Sequence, residues 1–150
     1  MIVYRITSHQ WSTSLGTSGN AARWNSDGKL LIYTANSRAM ACLENVVHRG
    51  AIGLKSFFKT MVIEIPNSIV IDEVRIEDLP DNWSDFTQLN YTQMIGDIWL
   101  SGMSSAVLSV PSAIIPQERN FLLNMQHPDF QKIKLLRTED FVFDPRIKTA

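Results

Sequence analysis

Between positions 37 and 50 the apolar side chains Ala39, Met40, Leu43, Val46 and Val47 recur at helical spacing, behind a serine and ahead of a glycine. Ser37 is a good N-cap, because its hydroxyl can accept from a backbone N–H that the first turn leaves unpaired, and Gly50 offers a C-terminal stop. This helix constrains the fold most, since it must bury one stripe and the strand-like run Leu30-Leu31-Ile32-Tyr33-Thr34 feeds straight into it. On a wheel of about 100° per residue Glu44 falls on the rim of the stripe, beside Met40 and Val47 and one turn before His48. Upstream, Arg23-Trp24-Asn25 reads as the start of a strand and Ser26-Asp27-Gly28-Lys29 as a turn. A cation, a phenol and a carboxylate therefore meet on one strand-to-helix unit.

The rest of the chain supplies short strands and a second helix. Residues 2–7 alternate, with Ile2, Tyr4 and Ile6 on one face and Val3, Arg5 and Thr7 on the other. Residues 8–22 are rich in Ser, Thr and Gly without a period, which reads as a long loop of the kind that forms lids. Strands are expected at 59–65 and 68–72, separated by Pro66, and a connecting loop at 75–86. Tyr91, Met94, Ile95, Ile98 and Trp99 mark an amphipathic helix over 89–102 that Gly102 is placed to end, while Gly96 costs it about 1 kcal/mol of propensity. A strand at 105–110 stopped by Pro111, a short strand at 120–124, a turn at 127–129 and one or two closing strands over 133–143 complete the pattern. The expectation is one α+β domain over 1–150, its short, mainly antiparallel strands set around a cleft with two main helices.

Composition narrows the function by exclusion. Lys+Arg 14 against Asp+Glu 15 gives no electrostatic case for nucleic acid or an anionic membrane as main partner. Cys42 stands alone and the first residues lack a signal-peptide pattern, so the expected location is cytoplasmic, and the apolar runs are too short to span a bilayer. His9, His48 and His127 are scattered, which gives no metal spacing; no Walker or Rossmann glycine pattern occurs; and Ser112, between Pro111 and Ala113, is not in a nucleophile elbow. Carboxylate and arginine chemistry remains. Each candidate also has a plain structural explanation: Glu44 as a solvated charge, Arg5 and Arg23 as ion-pair residues, Tyr33 as a core aromatic, Ser112 in a turn, Asn120 and Asn124 as backbone caps, His48 as a helix C-terminal cation.

Their combination is more specific. Tyr4-Arg5-Ile6, Arg23-Trp24-Asn25, Ile32-Tyr33-Thr34, Leu43-Glu44, Val110-Pro111-Ser112-Ala113-Ile114-Ile115-Pro116, Glu118-Arg119-Asn120, Leu123-Asn124 and His127-Pro128-Asp129-Phe130 closely resemble the RES-domain family in order and spacing. The Arg, Glu and Ser that give the family its name match an arginine of the early strands, Glu44 and Ser112. The sequence departs at Gly19-Asn20-Ala21-Ala22, where the family often has a glycine-rich approach, and at Met125, where it often has proline.

The resemblance implies a fold similar to ADP-ribosyltransferases of the diphtheria-toxin type. It implies a toxin of a bacterial toxin–antitoxin pair that consumes NAD by hydrolysis or phosphorolysis of the nicotinamide–ribose bond, or transfers ADP-ribose to a protein. An Xre-type helix-turn-helix antitoxin would be the partner, NAD the substrate, inorganic phosphate a conceivable co-substrate, and no metal is implied. Within that reading Glu44 stabilises the charge developing on ribose, with Arg23 and Tyr33 beside it; Arg5 and Arg23 hold the pyrophosphate, Tyr33 stacks on nicotinamide or ribose, Ser112 bonds the nicotinamide-side ribose or the carboxamide, and Asn124 contacts a ribose hydroxyl or supports one that does. Two rivals differ in class: a non-catalytic nucleotide- or peptide-binding module that tunes a helix-turn-helix repressor, and an RNA-cleaving toxin. The latter lacks a basic patch interleaved with aromatics.

Overall fold

The computed structural model describes residues 1–49 and 57–147. Its elements are β1 (Ile2–Ser8), β2 (Leu31–Ala35), α1 (Arg38–Arg49), β3 (Phe58–Glu64), β4 (Ile71–Glu73), α2 (Leu89–Gly102), β5 (Val107–Pro111), β6 (Arg119–Asn124) and β7 (Lys134–Phe141). The strands form one seven-stranded sheet in the order β4-β5-β6-β2-β1-β3-β7. Among the described residues only β4 and β5 pair in parallel; the other five pairings are antiparallel. The expected α+β class with mainly antiparallel strands and two helices is what the chain adopts.

Alternation along the central strands divides the core between two faces. Val3, Ile32, Ile63, Val107 and Leu123 pack on one face, joined by Leu15 and Phe130 from connecting segments. The other face carries both helices. Met40 of α1 packs there with Ile6, Ala35, Phe58 and Phe143. Trp99 of α2 packs with Trp24, Leu31, Trp83, Leu108 and Leu122. Because β1 is central, Val3 on the face it shares with Arg5 is fully buried, and that face is not the polar one its sequence suggests.

The seams of the sheet are unequal. β1 pairs with β3 over seven residues, from Ile2 opposite Glu64 to Ser8 opposite Phe58, whereas β1 meets β2 at the single register Tyr4 opposite Ala35. Beyond that point the two strands part. Asn45 of α1 donates its Nδ2 to the carbonyl of Ile6 at 2.7 Å, so a helix side chain ties down the backbone of the parted strand.

Several expected elements take a different form. Arg23-Trp24-Asn25 is not a strand: Ala22 and Asn25 make an isolated bridge, and Arg23 and Trp24 turn between them. Residues 8–22 begin with a 3-10 turn at His9–Trp11 and are anchored through Leu15 in the core and the Gly16 carbonyl, which accepts from Arg5 Nη1 at 2.6 Å. Ser37 does cap α1, its Oγ accepting from Met40 N at 3.0 Å; the expected stop at Gly50 lies outside the described residues. Only Ile71–Glu73 of the second β run is strand, Pro111 extends β5 opposite Arg119, and the closing segment is the single strand β7. Met103, at φ 54°, makes the left-handed turn that ends α2 in place of Gly102.

Both helices are rotated relative to their apolar patterns. On α1, Ala39 and Val47 face out while Met40, Ala41 and Asn45 face in. On α2 the buried residues are Thr92, Gly96, Trp99 and Leu100, with Met94 50% and Ile98 63% exposed. The reason is at Gly96, where a Cβ would overlap the carbonyl oxygen of Trp24 and come within 2.8 Å of its carbonyl carbon. Only a glycine lets the segment carrying Arg23 approach the helix this closely.

Candidate active site

A cavity of about 420 Å³ opens where β1 and β2 part, roofed by α1 and the segment around Arg23. Tyr4, Arg5 and Ile6 line it from β1, Tyr33 and Ala35 from β2, Glu44, Asn45 and His48 from α1, and Asn120 from β6. Its size is that of a small-molecule site.

Glu44 is built in atom by atom. Its Oε1 accepts from Ser112 Oγ at 2.8 Å and from Asn120 Nδ2 at 2.6 Å, and its Oε2 lies 3.3 Å from His48 Nε2 one turn later on the same helix. Ser112 Oγ also accepts from Ile114 N at 3.1 Å and Ile115 N at 3.2 Å, so its lone pairs are taken by backbone and its one proton is committed to the carboxylate. Burial alone would raise the Glu44 pKa; the hydrogen bonds from His48, Asn120 and Ser112 outweigh it and hold the carboxyl below the usual value. The group is an anchored, ionised carboxylate at a cavity wall.

The arginines reach the cavity from other elements. Arg5 projects from β1 and donates to Gly16 O. Arg23 donates through Nη1 to Asp85 O at 3.2 Å. Its backbone is held from α2: Thr92 Oγ1 donates to Arg23 O at 2.6 Å, Gln93 Nε2 to Ala22 O at 2.8 Å, and Asp97 accepts from Ser26 N at 3.0 Å and Ser26 Oγ at 2.5 Å. Tyr33 completes the clamp, accepting from Trp24 N at 3.0 Å and donating to Asn25 Oδ1 at 2.6 Å. Burial pushes the Tyr33 phenol far above its usual pKa. That hydroxyl is spent on the clamp, which leaves the ring to face the cavity.

Two expected ligand-binding residues are placed elsewhere. Ser112 is fully buried and touches Glu44, where a contact with ribose or carboxamide was expected. Asn124 is fully buried under α2, its Nδ2 donating to Leu100 O at 3.3 Å and its Oδ1 accepting from Gln126 N at 3.0 Å. Asn120 and Asn124 share a face of β6, but the strand runs from α1 to α2, so only Asn120 reaches the cavity. Sequence reasoning missed Asn120 as a site residue; the period of two could place both asparagines on one face but not say which end meets α1. Arg119, in the same motif, is spent on Ser109 Oγ, the carbonyls of Val74 and Ser109, and Glu73, and so ties the β4 edge to the sheet.

Among the described residues, the buried carbonyl oxygens Oδ1 of Asn45 and Asn120 have no hydrogen-bond partner. Leaving such a group unpaired costs about 1–3 kcal/mol. No group of three or more His, Cys, Asp or Glu comes together among the described residues, and none of their helices is long and apolar enough to cross a membrane.

The fold and site define an α+β protein with a cavity lined by Arg5, Arg23 and an anchored Glu44 carboxylate. The RES domain model matches residues 2–144, and the chain belongs to that family. It is 37% identical over 153 aligned positions to "Toxin Res" of Yersinia enterocolitica, covering 99% of this chain and 100% of the relative. It is 36% identical over 134 positions to the "Prs ADP-ribosylating toxin" of Sphingobium sp., covering 88% of this chain and 83% of that one. Among solved structures, a chain of the M. tuberculosis MbcT–MbcA toxin–antitoxin complex shares the fold with a TM-score of 0.75 at 17% identity, over 94% of this chain and 84% of that one.

Proposed function

We propose that this chain is the toxin of a bacterial toxin–antitoxin pair and that it depletes cytoplasmic NAD by breaking the nicotinamide–ribose bond. The observation that carries the reading is the Glu44 carboxylate, held ionised on a cavity wall that Arg5 and Arg23 also line. Nicotinamide leaves as a neutral base, so departure needs no general acid; the difficulty is the positive charge that builds on ribose. A fixed carboxylate stabilises that oxocarbenium-like state without reorganising during the reaction. Oε1 already accepts from both Ser112 and Asn120, whereas Oε2 meets His48 at 3.3 Å and keeps a second lone pair to accept from a ribose hydroxyl.

Arg5 and Arg23 pair with the pyrophosphate, guanidinium and phosphate matching in charge and geometry. Tyr33 offers its ring to nicotinamide or ribose. Ser112 acts through Glu44, and Asn124 supports the fold. The Sphingobium relative's description as an ADP-ribosylating toxin supports NAD as the substrate and favours a second reading, transfer of ADP-ribose to a protein. The likeness to a chain of a toxin–antitoxin complex supports an antitoxin partner, which we take to be an Xre-type helix-turn-helix protein covering the cleft.

Purified chain incubated with NAD is expected to release nicotinamide. The second product identifies the acceptor: ADP-ribose for water, its 1″-phosphate for inorganic phosphate, or a labelled polypeptide for protein. Glu44→Gln is expected to keep the fold and lose about 10²–10³-fold in rate, the scale of removing one preorganised transition-state contact. NAD binding without turnover by the parent chain would instead identify a nucleotide-binding module, and RNA loss preceding NAD loss after induction would point to a nuclease.

A further inference from the structure

We propose that Asn120 is a positioning residue that orients the Glu44 carboxylate, so that Oε1 is closed and Oε2 is presented to the ligand. The proposal rests on the NAD-cleaving reading above and deepens it. Its starting point is the chemistry of the 2.6 Å contact: a carboxylate only accepts, so the amide group facing Glu44 must be the NH₂ of Asn120. The carbonyl of that amide is thereby turned away, into a buried place where it has no partner.

That orientation is unfavourable for the fold taken alone. The backbone of Asn120 lies within the sheet, opposite Ala35 of β2 on one side and Val110 of β5 on the other, so its pairing needs nothing from the side chain. An apolar side chain of the same size would fill the position without burying an orphan carbonyl. Among the described residues the amide gains an interaction with Glu44 alone, and a buried polar group kept at such a cost points to work at the site.

Two neighbours complete the argument. Ser112, its lone pairs bound to backbone, can only donate to the same Oε1, so that oxygen carries two donors and the carboxylate is fixed in rotation as well as position. Asn45, the next residue along α1, donates to Ile6 O and also leaves its own carbonyl orphaned. The turn bearing Glu44 is thus pinned to β1 by one asparagine and its carboxylate to β6 by another. The other titratable and charged groups that line the cavity with Glu44 are His48 on α1, Tyr4 and Arg5 from β1, Tyr33 from β2 and Arg23 from its turn, and substitution at Asn120 removes none of them.

The test uses Asn120→Leu and the isosteric Asn120→Asp in the full chain, with two readouts. Without substrate, NMR titration of the labelled Glu44 carboxyl is expected to move to higher pH in Asn120→Leu, and further in Asn120→Asp, where a like charge adjoins. With NAD, kcat for nicotinamide release is expected to fall about tenfold or more in Asn120→Leu, the equivalent of one charge-assisted hydrogen bond, with KM within about threefold and the acid limb shifted upward. A merely structural asparagine would leave both the titration and the acid limb in place. An unmoved Glu44 titration in both variants overturns the positioning role whatever the activity. Failure of the parent chain to release nicotinamide overturns the catalytic reading, while the titration still decides whether Asn120 orients the carboxylate.

Discussion

The two walls of the cleft are secured by different means. Glu44 is fixed at its own oxygen atoms, by Ser112, Asn120 and His48. Arg23 is fixed through the backbone of its turn, where α2 and Tyr33 bind Ala22, Arg23, Trp24 and Ser26, while among the described residues its guanidinium makes one hydrogen bond, to Asp85 O. On the proposed NAD-cleaving reading, a carboxylate that meets a developing charge tolerates little error, whereas a guanidinium that captures a charged ligand works while retaining donors of its fork for it. The carboxylate wall is therefore where substitutions should act on kcat, and the clamped turn where they should act on stability and KM.

The strongest way to break the guanidinium wall alone is Gly96→Ala. The added Cβ would collide with the backbone of Trp24, which cannot yield as a flexible side chain can. We expect a loss of about 3 kcal/mol, the upper end of overpacking costs, in urea or thermal denaturation. A loss below about 0.5 kcal/mol would mean that the turn is not held against α2 as described. Residual activity in the folded fraction should show a raised KM for NAD with Glu44 still titrating as in the parent.

Tyr33→Phe probes the same wall more gently. It keeps the ring at the cavity but deprives Trp24 N and the buried Asn25 Oδ1 of their partner, for an expected loss of about 1–3 kcal/mol. If the hydroxyl instead serves the reaction, kcat will fall with stability unchanged.

This division also explains what could be read in the sequence. α1 was legible because a serine cap and an apolar stripe are local signals, and Ser37 bonds Met40 N as its position implies. The inward face of α2 was not, since Tyr91, Met94 and Ile98 outweigh Thr92 and Gly96 in apolarity, while the contact that decides the matter comes from Trp24, far away in the chain. Arg23-Trp24-Asn25 has strand-like composition, yet its conformation is set by donors on α2 and by Tyr33. The helical period put Glu44 on the rim of the buried stripe, whereas its partners depended on which end of β6 lies beneath α1, a matter of strand order that alternation does not encode.

The smallest expected effect sharpens the carboxylate wall through its linkage to pH. Glu44 has a folded-state pKa below the ordinary carboxylate value, burial pushing it up and the bonds from His48, Asn120 and Ser112 drawing it further down. A group depressed in this way binds its proton more readily in the unfolded chain, so its stabilisation is fully present above the unfolded value and drains away as pH falls through the folded one. Other carboxylates, Asp78, Asp129 and Glu139 among them, are also depressed, so acid lability of the whole protein is not specific to Glu44. The difference between parent and Glu44→Gln isolates it. Urea midpoints measured from neutral pH down to about pH 3 should show the parent's advantage over the variant shrinking as Glu44 protonates, because a neutral carboxyl and a neutral amide make comparable bonds to Ser112. Parallel curves across that range would mean that the Ser112 and Asn120 donors do not favour the ionised form, and the contrast between the two walls would lose its electrostatic basis.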